Sequence, residues 1–172
     1  MTATKCWLRV SLPPSFSVKS DHMKSQALRG EYALVGMAES AVGVVPDKSP
    51  RELCVEVTLN AVKDAGLTLS DCDGLITCNA FAEPILYHAE AVAEYLGWQP
   101  RHCVTVNTGG GTTFMAINMA IAAIAAGMAD TIVVSMADSL RSFMTRDQAM
   151  VVQSSSGHPH YEQPYGPTVP AY

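Results

Sequence analysis

The sequence predicts an α/β fold with a mainly parallel sheet and helices on both faces. Three observations carry this. Short apolar runs at 32–37, 75–78, 102–107 and 131–136 alternate with stretches of helical period. Strands that alternate with helices read as βαβ units, whose right-handed crossovers leave the strands parallel. The 172 residues are 48% hydrophobic and 16% charged, which supplies one well-filled core. Three successive glycines, Gly109 to Gly111, stand between the third run and the longest apolar helical stretch, as at a tight strand-to-helix turn.

Residues 1–30 differ from the rest. Lys5, Arg9, Lys19, Lys24 and Arg29 face one acid, Asp21, and no period is present. No apolar stretch is long enough for a secretory signal. An organellar transit segment is one reading; a disordered or non-native extension is preferred, and the segment is set outside the fold. The α/β core is placed at 31–140, with a first strand at 32–37 and a loop after it. Ser49-Pro-Arg-Glu52 is a helix start: Ser49 caps, Pro50 suits the first turn and Glu52 completes a capping box. Leu53, Val57 and Ala61 make its buried stripe, and Gly66 stops it. Cys54 reads as a small core residue. A turn at 69–74 leads into the strand at 75–78. The next helix is expected from Pro84 to Leu96, with Ile85, Ala89, Val92 and Leu96 inward and His88 on the surface or satisfied.

In the following helix, Phe114, Ile117, Ile121 and Ile124 recur at three and four, and Met115, Ala122 and Ala126 make the other side apolar too. A helix apolar all round is buried. It is too short for a membrane span, which needs about 20 apolar residues, so it is expected in the core. The glycine turn before it permits close approach of a ligand, and a helix start attracts anions. The spacing meets neither nucleotide-binding fingerprint. A tight turn beside a crowded helix and a nucleotide-binding domain both remain open.

Beyond Ser139 the pattern fails. A short helix within 141–153 and a loop at 154–160 are expected. His158-Pro-His160 lacks the three or four ligands of a zinc site and reads as solvated loop, so no metal is expected. The net charge of −5 argues against a broad nucleic-acid surface. Five cysteines, Cys6, Cys54, Cys72, Cys78 and Cys103, form no Cys-x-x-Cys pair. An odd count favours free thiols in a reducing compartment and a cytoplasmic location.

The segment from Val104 to Asp138 resembles the nucleophile region of the thiolase superfamily. There a strand ends in Asn-x-x-Cys-x-[Ser/Thr]-Gly, and an Ala-rich helix, Gly-x-Ala-[Asp/Ser] and an apolar strand follow. Gly127-Met-Ala-Asp130 and Ile132-Val-Val-Ser-Met136 match the later part. Counting back from Gly127 puts the nucleophilic cysteine of the family at Gly110. The chain is therefore similar to thiolase-like proteins of the sterol-carrier, lipid-transfer and acetyl-CoA acetyltransferase-like type that lack this cysteine. "Asp-Cys-Asp-Gly-Leu" at 71–75 and "Pro-Tyr-Gly" at 164–166 also resemble the family.

The resemblance covers roughly 29–172 and implies the N-terminal half of such a protein. The last strand and helix of that half are expected to be missing, and 141–172 to be the start of a truncated loop domain. It implies no catalytic residue here, with Gly110 at the nucleophile position, no cofactor, and acyl-CoA as ligand at Asn107, Gly109, Gly110 and Gly111. The intact parent would perform acyl transfer or retro-aldol carbon–carbon cleavage in lipid metabolism, and this chain alone would be inactive. A non-catalytic acyl-CoA-binding or dimerisation module is the alternative. A strand order of 3-2-1-4 is implied, with a homodimer through the edge strand His102, Cys103, Val104, Thr105, Val106 and Asn107, and a small OB-fold partner for the parent.

Overall fold

Each helix of the fold is short and locally signalled, and together they sandwich one sheet. The structure, a computed structural model, describes residues 6–9 (by their backbone), 28, 30–145, 147, 148 and 151. In chain order the elements are β1 (Cys6–Arg9), β2 (Ala33–Leu34), α1 (Pro50–Asp64), β3 (Gly74–Thr77), α2 (His88–Tyr95), β4 (His102–Thr105), α3 (Thr112–Ala125), β5 (Thr131–Ser135) and α4 (Leu140–Phe143). The sheet order is β2-β1-β5-β3-β4. The strands β4, β3 and β5 are parallel, and β1 lies antiparallel to both β5 and β2. Helices α1 and α2 cover one face around Leu75 and Val133; α3 covers the other around Ile76, Ile132 and Val134. The expected parallel sheet with helices on both faces is present.

Helix α1 forms where its local signals put it. The Ser49 Oγ accepts from the Glu52 N–H at 3.2 Å, and the Glu52 carboxylate accepts from the Ser49 N–H at 2.8 Å. These two bonds satisfy donors that a helix start leaves open. They also hold the Glu52 carboxyl below its usual range, chiefly through the Ser49 backbone N–H. Leu53, Val57 and Ala61 are buried as the stripe requires. Gly66 takes φ +68 and lets the Leu67 N–H return to the Val62 carbonyl at 3.0 Å, which closes the helix.

Three parts of the fold differ from the sequence expectation. Cys6–Arg9 is a strand of the sheet, not a stretch outside it; its pairing is wholly non-local, so no local signal marks it. The first strand is only Ala33–Leu34 and lies at the far edge, so the order 3-2-1-4 does not hold. Strands β3 and β5 are direct neighbours because Gly74 leaves no room between them: a Cβ there would stand 2.6 Å from the Ile132 Cγ1. Helix α3 is not buried all round. Thr112, Ala116, Ala120, Ala123 and Ile124 face the sheet, and Phe114 is 74% exposed. The alanines let the helix lie close to the strands, so the large residues at 114 and 115 turn outward.

Substituting Gly74→Ala forces a methyl into the β3–β5 contact. Overpacking of this kind costs about 1–3 kcal/mol, so urea unfolding should show a midpoint lowered accordingly, while Gly110→Ala, whose Cβ meets nothing within 4 Å, should not lower it.

Candidate functional site

The carboxyl ends of β3, β4 and β5 share one edge, the usual place for ligands in parallel α/β sheets. The register sets Thr105, Thr77 and Ser135 side by side across the three strands. Each hydroxyl ties the sheet to a helix. The Ser135 Oγ meets the Cys54 Sγ at 2.8 Å and the Thr58 Oγ1 at 3.1 Å on α1. The Thr77 Oγ1 meets the His88 Nδ1 at 3.1 Å, and the Thr105 Oγ1 accepts from the Ala89 N–H at 2.9 Å, both at the start of α2. Thr77, Ser135, Thr58 and His88 are fully buried.

His88 is thus an interior group, not a surface one. It is the first residue of α2 and packs onto β3, where Thr77 provides its partner. Burial is the main cause that lowers its pKa; Glu83 and Asp138 oppose this and Arg51 adds to it. The expected start of α2 at Pro84 is also displaced to His88. The loop before it is held elsewhere. The Asp138 carboxylate accepts from the N–H groups of Phe81 at 2.7 Å, Ala82 at 3.2 Å and Ser139 at 2.8 Å. Glu83 pairs with the Arg51 guanidinium at 2.8 Å. Charged hydrogen bonds hold this loop out of helical register.

The glycine turn follows β4. Gly109 to Gly111 form a single 3-10 turn that runs directly into α3. Gly109 takes φ +69, which glycine adopts freely, and the Thr112 hydroxyl closes the turn onto the Gly109 carbonyl at 2.6 Å. The Thr108 N–H donates to the same hydroxyl at 3.0 Å. Gly110 and Gly111 do not take positive φ, and a Cβ built on either meets nothing within 4 Å. Crowding therefore does not require glycine at these two positions, and the tight-turn-beside-a-crowded-helix reading fails there. The space over the turn is open.

Asn107 is exposed beside this turn, and the Cys78 Sγ approaches its Oδ1 at 3.6 Å. Cys78 follows Thr77, which pairs with Thr105, so the register brings the thiol to the turn; the order of strands, invisible in the sequence, is the missing signal. Burial, then Asp138 and Cys54, push this thiol up to about 11. It is protonated at neutral pH and is no substitute for a thiolate nucleophile. Cys103, on β4, is pushed up to about 11 by burial and Glu90. His102 to Thr105 form β4 at the edge of the sheet; Val106 continues toward the turn, its N–H donating to the Thr77 carbonyl at 2.8 Å. Among the described residues no group of three or more His, Cys, Asp or Glu is placed to hold a metal. No described helix is long and apolar enough to cross a membrane. His158, His160 and the 164–166 motif lie outside the described residues.

The chain is 28% identical over 151 residues to the 17-hydroxy-3-oxo-4-pregnene-20-carboxyl-CoA lyase of Mycobacterium tuberculosis, covering 84% of this chain and 38% of the lyase. It is 24% identical over 144 residues to an acetyl-CoA acetyltransferase of Methanocaldococcus jannaschii, covering 82% of this chain and 36% of that protein. Among solved structures, the Ltp2-ChsH2(DUF35) aldolase matches 70% of this chain and 35% of its own, with a TM-score of 0.50 and 27% identity. The chain is thiolase-like. No family model matches it. This thiolase-like chain spans less than two fifths of the length of the curated relatives it matches. Glycine stands at position 110, where the resemblance puts a nucleophilic cysteine.

His88 gives the polar row a pH dependence. Its pKa in the folded chain lies below that of an unfolded histidine, near 6.5, so the unfolded state binds the extra proton first. Stability is full above about pH 6.5 and falls as the pH drops toward the folded pKa. Urea unfolding between pH 7.5 and 5.5 should show this loss, and His88→Asn should flatten it.

Proposed function

We propose that this chain supplies the thioester-facing turn of a thiolase-like protein that handles acyl-CoA without a cysteine acyl intermediate. The observation that carries the reading is the open, side-chain-free space over Gly110, at the start of α3. Covalent acyl transfer needs a thiolate or an equivalent nucleophile, and the nearby Cys78 thiol stays protonated. Backbone N–H groups at a helix start hold a carbonyl oxygen or a small anion. Such a turn orients the thioester carbonyl and stabilises charge that develops on its oxygen. The names of the lyase and aldolase relatives support carbon–carbon cleavage as the reaction of the intact protein. Acid and base groups would come from protein outside this chain, which by itself is inactive. Asn107 and Gly109 to Gly111 are the contact residues. A small OB-fold partner fits a relative solved as an Ltp2-ChsH2(DUF35) aldolase.

The chain is expected to give no acetoacetyl-CoA thiolysis above a heat-killed control, and intact-mass measurement after incubation with acetyl-CoA should show no acyl adduct. Gly110→Cys should fold normally, since its side chain enters open space, and should still give no thiolysis, because no base is adjacent. Turnover by either protein would end the non-covalent reading.

We further propose that the edge strand β4 pairs with its twin across a two-fold axis. The N–H groups of His102 and Val106 donate toward β3, so alternation turns those of Cys103 and Thr105 outward. An unpaired edge of this kind is a template for a second strand. Cys103→Pro removes one outward donor and leaves the Thr105 hydroxyl on Ala89. Light scattering should then give half the mass of the unmodified chain, with an unchanged circular dichroism spectrum; an unchanged mass would rule out pairing at this edge.

A further inference from the structure

The outer side of α3 is the second surface that the fold leaves uncovered. No charged residue occurs from Thr112 to Ala129. Phe114 is 74% exposed and Met115 44%, and Gly111, Asn118, Ala122 and Ala125 are exposed with them. At 100° per residue, these positions and half-buried Ile121 form one face whose midline passes through Asn118. Asn118 is its only polar member from the helix itself.

The face is complementary to itself. An antiparallel copy turned about a two-fold axis through Asn118 sets Phe114 over Ala122 of the other copy, Met115 over Ile121 and Gly111 over Ala125. Large residues meet small ones, and the helix axes can approach closely. The two Asn118 amides meet on the axis, where each carries both a donor and an acceptor for the other. A lone polar pair in an apolar seam fixes register. Charge selects the same face. The chain carries a net −5, so two copies repel through acidic surfaces, and this uncharged strip lets them meet without like charges in contact. A two-fold contact needs a surface that matches itself, and this one does.

We propose that two copies of the chain pack α3 against α3 about Asn118, in a contact separate from the β4 edge and independent of any role in acyl-CoA chemistry.

The test uses the full chain. Asn118→Asp puts two carboxylates against each other on the axis, and Phe114→Glu buries a charge over Ala122. Each should halve the mass seen by light scattering at high micromolar concentration, with an unchanged circular dichroism spectrum. Asn118→Cys should form a covalent dimer under mild oxidation, which the unmodified chain with its native cysteines should not. Unchanged mass in both charged variants, or no cross-link at position 118, would overturn the proposal. A monomeric unmodified chain would overturn it too, and would assign the face to a different polypeptide.

Discussion

Asp73 is the constraint on which the arrangement depends. It stands immediately before β3 and binds both neighbouring strands. Its Oδ1 accepts from the N–H groups of Asp130 at 2.8 Å and Thr131 at 2.9 Å, at the start of β5. Its own N–H donates to the Thr131 carbonyl, and its carbonyl accepts from the His102 N–H at the start of β4, each at 3.0 Å. Its Oδ2 meets the Arg101 guanidinium at 2.8 Å. A one-residue slip would reverse every inward and outward side chain of a strand. Bonds from a charged acceptor are stronger than neutral ones, and here they fix the starts of three parallel strands at one residue.

That fixed register has consequences at the opposite end of the strands. Thr77, Thr105 and Ser135 come level, and their hydroxyls anchor α1 and α2. One step further, Cys78 comes beside Asn107, and the chain leaves β4 through the glycine turn into α3. The candidate site is therefore a product of register, with no long-range ion pair needed to assemble it. Buried hydroxyls and an imidazole left without partners would be costly; paired as they are, they favour one alignment over its neighbours.

Signals that act within a few residues were legible. The Ser49–Glu52 box, the inward stripe of α1 and the glycine stops are local, and they appear as the sequence implies. The glycine turn was legible for the same reason. Strand order was not, because Gly74 against Ile132 is a contact between residues far apart in the chain. The strand Cys6–Arg9 gave no period and has its partners more than twenty residues away. The face of α3 was misjudged because large residues at helical spacing imitate a core stripe, whereas its alanines lie on the sheet. His88 looked isolated because Thr77, its partner, stands on a different element, and Cys78 became part of the site by register alone.

Amide hydrogen exchange at residues 109–113, with and without acetyl-CoA, tests the central claim that the turn binds a thioester through its backbone. The account predicts slower exchange at Gly110 and Gly111 when acetyl-CoA is present, with no covalent change in the protein. Unchanged exchange there, with protection confined to distant surface residues, would contradict it.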